Sequence, residues 1–187
     1  PIRFVAEMLG GVPSIVIGVF AYSVLVYPTW AAKPLGYSAW AGAFALGVMM
    51  LPVVIRASEE AMRLVPNALR EASYALGATR RRTVLRVVLP AALPAIVTGV
   101  LLSVGRIAGE TAPLLLTAYG SNGWPRGPDD RTPFLPYYIY TYSTDPSADN
   151  VRLAWAAAFV LIVLVLALNV GTRLLAGKRT VDASRAG

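Results

Sequence analysis

The chain has 187 residues, 56% of them hydrophobic and only 14% charged, and a formal net charge of +7. A soluble domain carries about 25% charged residues, so this composition indicates a membrane protein. The sequence has no cysteine or histidine, which excludes disulfides, thiolate chemistry, a Ser-His-Asp triad and most zinc sites.

Four stretches without charge are long enough to cross a bilayer, which takes about 20 apolar residues. Each is predicted to be a helix, because an open sheet cannot satisfy its backbone in lipid. The predicted fold is therefore all-α, a polytopic membrane helix bundle. The third span is expected to extend past Arg106 to about Thr117. The first stretch lies between Glu7 and Lys33, with its apolar centre at 12–27, and the others are 34–55, 87–105 and 153–172.

The basic residues lie in short connections, which indicates a topology signal rather than nucleic acid binding. Twelve lie on one set of connections and four on the other, so the first set is predicted to face the cytoplasm. This places residues 59–88 and the C-terminus inside, and the loop 118–150 outside. The twelve are Arg3, Arg56, Arg63, Arg70, Arg80, Arg81, Arg82, Arg86, Arg173, Lys178, Arg179 and Arg185, and the four are Lys33, Arg126, Arg131 and Arg152.

The predicted outer loop 118–150 combines turn residues with a tyrosine-rich stretch. "SNGWPRGPDD" is typical of turns, and "FLPYYIYTY" is typical of an interfacial segment, because tyrosine rings favour the headgroup region. An anchoring role is favoured there over contact with a ligand.

The predicted cytoplasmic loop contains a short helix, a turn and a second helix. "VPNALREASYAL" places small apolar residues at helical spacing after a proline, and Gly77 is predicted to end this helix in a left-handed conformation. The basic stretch "TRRRTVLRVVLP" then leads into the third span. A short helix of this kind is marginal alone and needs a surface to pack against.

The spacing of residues in this loop resembles the coupling loop of ABC-importer permeases. The family pattern is Glu-Ala-Ala, three residues, Gly, nine residues, Ile, one residue, then Leu-Pro; here Ser73 replaces the second Ala and Val87 replaces Ile. The resemblance implies that the loop docks in a cleft of a cytoplasmic ATPase. The alternative is an amphipathic helix on anionic lipid, which the arginine run favours. The residues implied to couple to the ATPase are Glu71, Ala72, Ser73, Gly77, Leu89 and Pro90.

Nearly the whole chain, from about Gly10 to the last span, resembles the PstA family of permease subunits of phosphate ABC importers. The resemblance rests on stretches such as "GGVPSIVIGVFAY", "LPVVIRASEEAMRLVP" and "GRIAGETAPLL". It implies that residues 1–187 belong to one transmembrane domain from which two upstream spans are missing. It also implies an inner-membrane location and several partners: a second permease of PstC type, two ATPases of PstB type and a phosphate-binding protein of PstS type.

Arg106 and Glu110 interrupt the third apolar stretch. A charged residue at the centre of a membrane helix costs about 2.5–3.5 kcal/mol, so both must face a bundle interior or a wet pathway. Their spacing of four predicts a shared helix face, and Gly105 and Gly109 form a GxxxG pair beside them. Arg106, Glu110 and Thr111 are predicted to line an anion pathway, since a guanidinium suits phosphate oxygens. The alternative is a structural ion pair.

Other functions remain open from the residues alone. They are a permease for a different solute and a membrane scaffold without transport; an enzyme is poorly supported, because no nucleophile and base pair occurs in the spans. The chain has no GxxxxGK[ST] loop. It is therefore expected to need no cofactor of its own and to rely on a partner that hydrolyses ATP.

Overall fold

A computed structural model shows a bundle of helices, and the residues that it describes, 2–29 and 34–185, include no strand beyond one isolated bridge between Tyr119 and Thr132. For Ile2 and residues 173–185 only the backbone is described, and Lys33 lies outside the described residues. The all-α prediction is confirmed. The helices are α1 (Ile2–Gly10), α2 (Ser14–Ala21) with a π-helical turn at Tyr22–Val26, α3 (Ala39–Arg63), α4 (Asn67–Ala75), α5 (Arg80–Thr83) with a π-helical turn at Val84–Val88, α6 (Leu89–Ile107), α7 (Ala112–Thr117), α8 (Leu135–Ser143) and α9 (Ala148–Arg185).

Three helical stretches are long and apolar enough to cross a membrane: Ala39–Arg63, Arg80–Ile107 and Ala148–Thr172. A fourth crossing exists only if Arg3–Gly10 and Ser14–Val26 count as one span, and these two meet at an angle of 101°. The first predicted span is thus broken. Pro13 precedes α2 with an extended ψ of 139°, and a proline cannot continue a preceding helix, because it has no N–H to donate.

The predicted continuation of the third span to Thr117 is wrong. Helix α6 ends at Ile107, and the backbone N–H of Glu110 donates to the carbonyl of Ile107 in a turn. Helix α7 then begins afresh with Pro113 in its first turn, where the missing N–H costs no helical hydrogen bond.

Small residues set the close helix contacts. Helix α6 packs on both α3 and α9, while α7 packs on α2 and α3. A Cβ built on Gly99 would lie 2.7 Å from the Cβ of Ala57, and one built on Gly18 would lie 2.8 Å from the Cα of Pro113. Glycine therefore lets both pairs of backbones approach, as is common between membrane helices.

Helix α9 shows how the apolar surface is distributed. Only 6% of its most apolar 18-residue stretch is buried within the chain. Phe159, Ile162 and Leu166 are more than half exposed. Because exposing such a large apolar surface to water is unfavourable, the helix must lie against lipid or other membrane helices.

Candidate functional site

A cavity of about 510 Å³ lies where the junction of α1 and α2 meets α3 and α6. Most of its wall is apolar, including both methionines of the middle of α3. Six polar or charged side chains interrupt that wall: Ser14, Arg56, Glu60, Ser103, Arg106 and Glu110.

Two of the predicted pathway residues, Arg106 and Glu110, line this cavity. They do not share a helix face as predicted, because α6 ends at Ile107 and Glu110 follows in a turn. Thr111 precedes α7 and does not belong to the cavity wall. Ser103 does line the cavity, and its hydroxyl donates to the carbonyl of Gly99 at 2.8 Å.

A second arginine and glutamate, which the sequence analysis missed as site residues, enter the same cavity from α3. Arg56 was assigned to a connection between spans, but α3 runs on to Arg63 and carries Arg56 and Glu60 into the cavity wall. A Cβ on Gly10 would lie 3.3 Å from Nη2 of Arg56, so the missing side chain of Gly10 makes room for the guanidinium. The spacing of four between Arg56 and Glu60, beside a 22-residue apolar stretch, was the available signal.

The two guanidiniums are not engaged by the carboxylates around them. Among the described residues, no ion pair involves Arg56 or Arg106, nor Glu60 or Glu110. The cavity therefore holds two positive and two negative side chains, all unpaired within the part of the chain that the structure describes. A guanidinium with no carboxylate partner can bind an oxyanion with two parallel hydrogen bonds.

Only one glycine of the predicted GxxxG pair packs closely against a neighbouring helix. Gly105 packs against Asn169 of α9, whose Oδ1 would lie 3.2 Å from a Cβ at that position. Gly109 follows the end of α6 and has open space around it. Asn169, whose side chain donates to the carbonyl of Val165, is a polar residue of the last span that the sequence analysis did not single out.

The α4 segment, residues 66–79, holds most of the residues that the resemblance assigned to ATPase coupling. Helix α4 ends as predicted: Gly77 has a φ of +77°, and the N–H groups of Gly77 and Ala78 donate to the carbonyls of Tyr74 and Ser73. These two bonds form a Schellman motif, which requires a left-handed residue at the glycine position.

The apolar face predicted for α4 is bare. The helix has no buried residue, and Leu76 is 89% exposed. Glu71 is also exposed and, in the described chain, joins no ion pair. The exposed residues of the face are Ala68, Leu69, Ala72, Ala75 and Leu76.

Leu89 and Pro90 lie apart from the α4 segment, at the exposed start of α6. The helix is continuous from Arg80 to Ile107, and its π-helical turn at Val84–Val88 comes immediately before them. Pro90 has no N–H, so the wider turn falls where an α-helical hydrogen bond is already missing.

The model of the family "Binding-protein-dependent transport system inner membrane component" matches residues 1–181. The chain belongs to this family. The family and the apolar helices together make it a multi-pass membrane protein.

Curated relatives of this family member carry the name PstA. The chain is 40% identical to "Phosphate transport system permease protein PstA" of Yersinia pestis over 95% of its own length and 58% of the relative's. It is 43% identical to the protein of that name in Haemophilus influenzae, covering 92% and 59% of the two chains. The chain thus spans somewhat more than half the length of these relatives, and the recognised resemblance to PstA is confirmed.

The same fold occurs in a solved transporter. The structure titled "Inward facing conformations of the MetNI methionine ABC transporter" superposes with a TM-score of 0.67, over 93% of this chain and 72% of that one. At 21% identity this likeness supports the permease fold alone.

Proposed function

We propose that the protein is a membrane permease subunit of an ATP-driven phosphate importer. The observation that carries this proposal is its identity of 40–43% to phosphate permeases along nearly the whole chain. The cavity between α3 and α6 agrees with it, since an anion requires cations that are not already neutralised.

Arg106 and Arg56 are the residues proposed to meet the anion. They come from α6 and α3, and neither is paired with a carboxylate in the described part of the chain. Each can offer two N–H groups to a phosphate. Glu60 and Glu110 repel an anion, and this repulsion keeps binding weak enough for release, a condition that conduction pathways share. Thr111, which follows Glu110 in the chain, is also proposed as a pathway residue.

A partner supplies the energy. The chain has no phosphate-binding loop for ATP, so we assign ATP hydrolysis to cytoplasmic ATPases of PstB type that dock on the α4 segment. The bare apolar face of α4 supports this, because an isolated helix of nine residues is unstable without a surface to pack on. Glu71, Ala72 and Gly77 would lie at that contact, with Leu89 and Pro90 at its edge. Ser73 lies in the same segment, but its hydroxyl is hydrogen-bonded to Thr83 within the chain.

The orientation follows from the charges. We propose that residues 59–88 and the C-terminus lie in the cytoplasm and residues 118–150 outside the inner membrane. In the described chain Arg3 approaches Glu59 at 4.0 Å, which groups the start of α1 with the end of α3 on the basic side. A second permease of PstC type and a binding protein of PstS type complete the proposed importer.

The test is uptake of labelled phosphate by the protein with its ATPase, in a strain that lacks its own phosphate permease. Arg106→Gln keeps hydrogen-bonding capacity but removes the charge. We expect it to abolish uptake while assembly with the ATPase persists. Arg152→Gln is the matched control, because Arg152 is exposed at the start of α9 and does not line the cavity.

A double variant separates the pathway role from a structural ion pair. The structural alternative requires Arg106 and Glu110 to form a buried pair in the assembled importer. The single change would then leave a buried carboxylate unpaired at a cost of about 3–5 kcal/mol, and assembly would fail. Arg106→Gln with Glu110→Gln would then restore both assembly and uptake. Uptake near the wild-type level in the double variant would contradict the pathway role.

A further inference from the structure

Two side-chain hydrogen bonds fasten the α4 segment to the bundle. Nη2 of Arg70 donates to the backbone oxygen of Met62 at 2.7 Å. The hydroxyls of Ser73 and Thr83 are hydrogen-bonded, with their oxygens 2.9 Å apart, and either hydroxyl can be the donor. The first bond ends on the last turn of α3, and the second ends at the base of the helix that continues into α6.

The side chain of Arg70 donates to a carbonyl that receives no hydrogen bond from within α3. The last four carbonyls of a helix lack partners within it, and a cation near them is favoured by the helix dipole. The contact therefore ties α4 to α3 at a fixed place, eight residues back along the chain.

The hydrogen bond between Ser73 and Thr83 is buried at its Thr83 end. Thr83 is 1% exposed, and its hydroxyl has no other partner among the described residues. The coupling-loop pattern of the permeases has alanine at this position, whereas this chain has Ser73 and therefore a hydroxyl. The serine thus satisfies a buried polar group that an alanine would leave without this partner.

The two helices fastened in this way are those that carry Arg56 and Arg106 into the cavity. We propose that Ser73 and Thr83 are positioning residues, which together form a latch that stays closed while the α4 segment moves. Because of the latch, a displacement of α4 by a docked ATPase moves the base of α6 as well as the end of α3. This inference rests on the proposed function.

A cysteine pair tests whether the latch stays closed, and the chain offers a background without any cysteine. Ser73→Cys with Thr83→Cys removes both hydroxyls when reduced and joins the two positions when oxidised. In proteoliposomes with the ATPase, we expect the reduced form to take up about fivefold less phosphate per ATP hydrolysed. Loss of one hydrogen bond, about 1 kcal/mol, changes an equilibrium constant by about this factor. Oxidation should restore the ratio.

Three outcomes would overturn the proposal. Failure of the pair to cross-link would show that the two positions do not stay in contact. Loss of uptake in the oxidised form would show that the contact must open during transport. A wild-type ratio in both the reduced pair and Ser73→Ala would show that the hydroxyls have no role. Thr98→Val is the control, since its hydroxyl donates only to the Pro94 carbonyl of its own helix.

A second measurement separates failure of the latch from failure of the proposed function. Val53→Cys places a thiol in the cavity wall, and its rate of labelling should change when ATP is added. This readout needs no knowledge of the solute. Loss of the ATP-dependent change in Val53→Cys with Ser73→Ala supports the latch even if phosphate is not the substrate. An unchanged response in that variant contradicts the latch, even if phosphate uptake is real.

Discussion

The α4 segment and the α8 segment, residues 118–147, both connect long helices, yet they treat their apolar side chains in opposite ways. The α8 segment packs its rings on one another and on the α2–α3 connection: the ring centroids of Tyr37 and Tyr119 lie 4.6 Å apart, and the hydroxyl of Tyr138 donates to the carbonyl of Ser121. The α4 helix buries no residue at all.

The difference indicates which of the two connections needs a partner. Burial, with the Tyr22 hydroxyl adding to the effect, raises the pKa of Tyr37 above its ordinary value, which agrees with its place in a packed aromatic cluster. Most rings of the α8 segment thus have ring partners within the chain, apart from the exposed Trp124 and Tyr140, whereas the whole apolar face of α4 is exposed. Variants in the two segments test this contrast.

The largest expected effect is on binding of the proposed ATPase partner. Leu76→Glu places a charge on the most exposed apolar residue of the α4 segment. Loss of an anchor of this kind costs about 2 kcal/mol or more, roughly a thirtyfold loss of affinity. Co-purification of the permease with its ATPase measures this. Trp124→Glu is the control, because Trp124 is 95% exposed but belongs to the α8 segment. Equal recovery of the ATPase with Leu76→Glu and the wild type would contradict docking on α4.

A smaller effect is expected at the end of α4. Gly77→Val should insert normally but uncouple uptake from ATP hydrolysis, because a β-branched residue disfavours the left-handed backbone by about 1 kcal/mol or more. No atom lies within 4 Å of the position of a Cβ there, so the penalty comes from the backbone alone. Gly77→Asn is the matched control, since asparagine tolerates this conformation. Coupled uptake by Gly77→Val would refute the role of the turn.

The sequence predicted the α4 segment well, because local rules decide it. A glycine after a short helix specifies the stop at Gly77, and the exposed face was visible in the spacing of apolar residues. The cavity was harder to predict. Arg56 and Arg106 are 50 positions apart and meet only through the packing of α3 on α6, which no periodicity in one sequence encodes.

Breaks in the long apolar stretches were also missed. Hydropathy averages over a window and so does not register the bend before α2 or the end of α6 at Ile107. Pro13 and Pro113 were the available signals. In a membrane their effect on a helix depends on whether neighbouring helices satisfy the freed carbonyls, and this is decided by tertiary packing.

On the α8 side, the contrast predicts effects on stability rather than on ATPase binding. A Cβ on Gly120 would lie 2.5 Å from the ring of Tyr137, and φ is +59°. Gly120→Ala should therefore destabilise the protein by about 1–3 kcal/mol, the usual cost of overpacking. The apparent melting temperature in detergent measures this. Gly123→Ala is the control, because its nearest neighbour, Ser121 Oγ, would be 3.8 Å away. Equal melting temperatures of the two variants would contradict the packed interior of the segment.

The smallest expected effect concerns Arg131, whose guanidinium carbon lies 5.4 Å from the ring centre of Tyr37 and 4.9 Å from that of Tyr119. A cation over an aromatic face contributes about 0.5–1 kcal/mol at an exposed site, so Arg131→Gln should lower the melting temperature only slightly. Arg131→Lys should keep part of the effect, because it keeps the charge. Arg126→Gln is the matched control, since in the described part of the chain the Arg126 guanidinium does not lie over an aromatic ring. ATPase binding should not change in any of these variants. A loss of ATPase binding in Arg131→Gln would link the two segments and break the contrast between them.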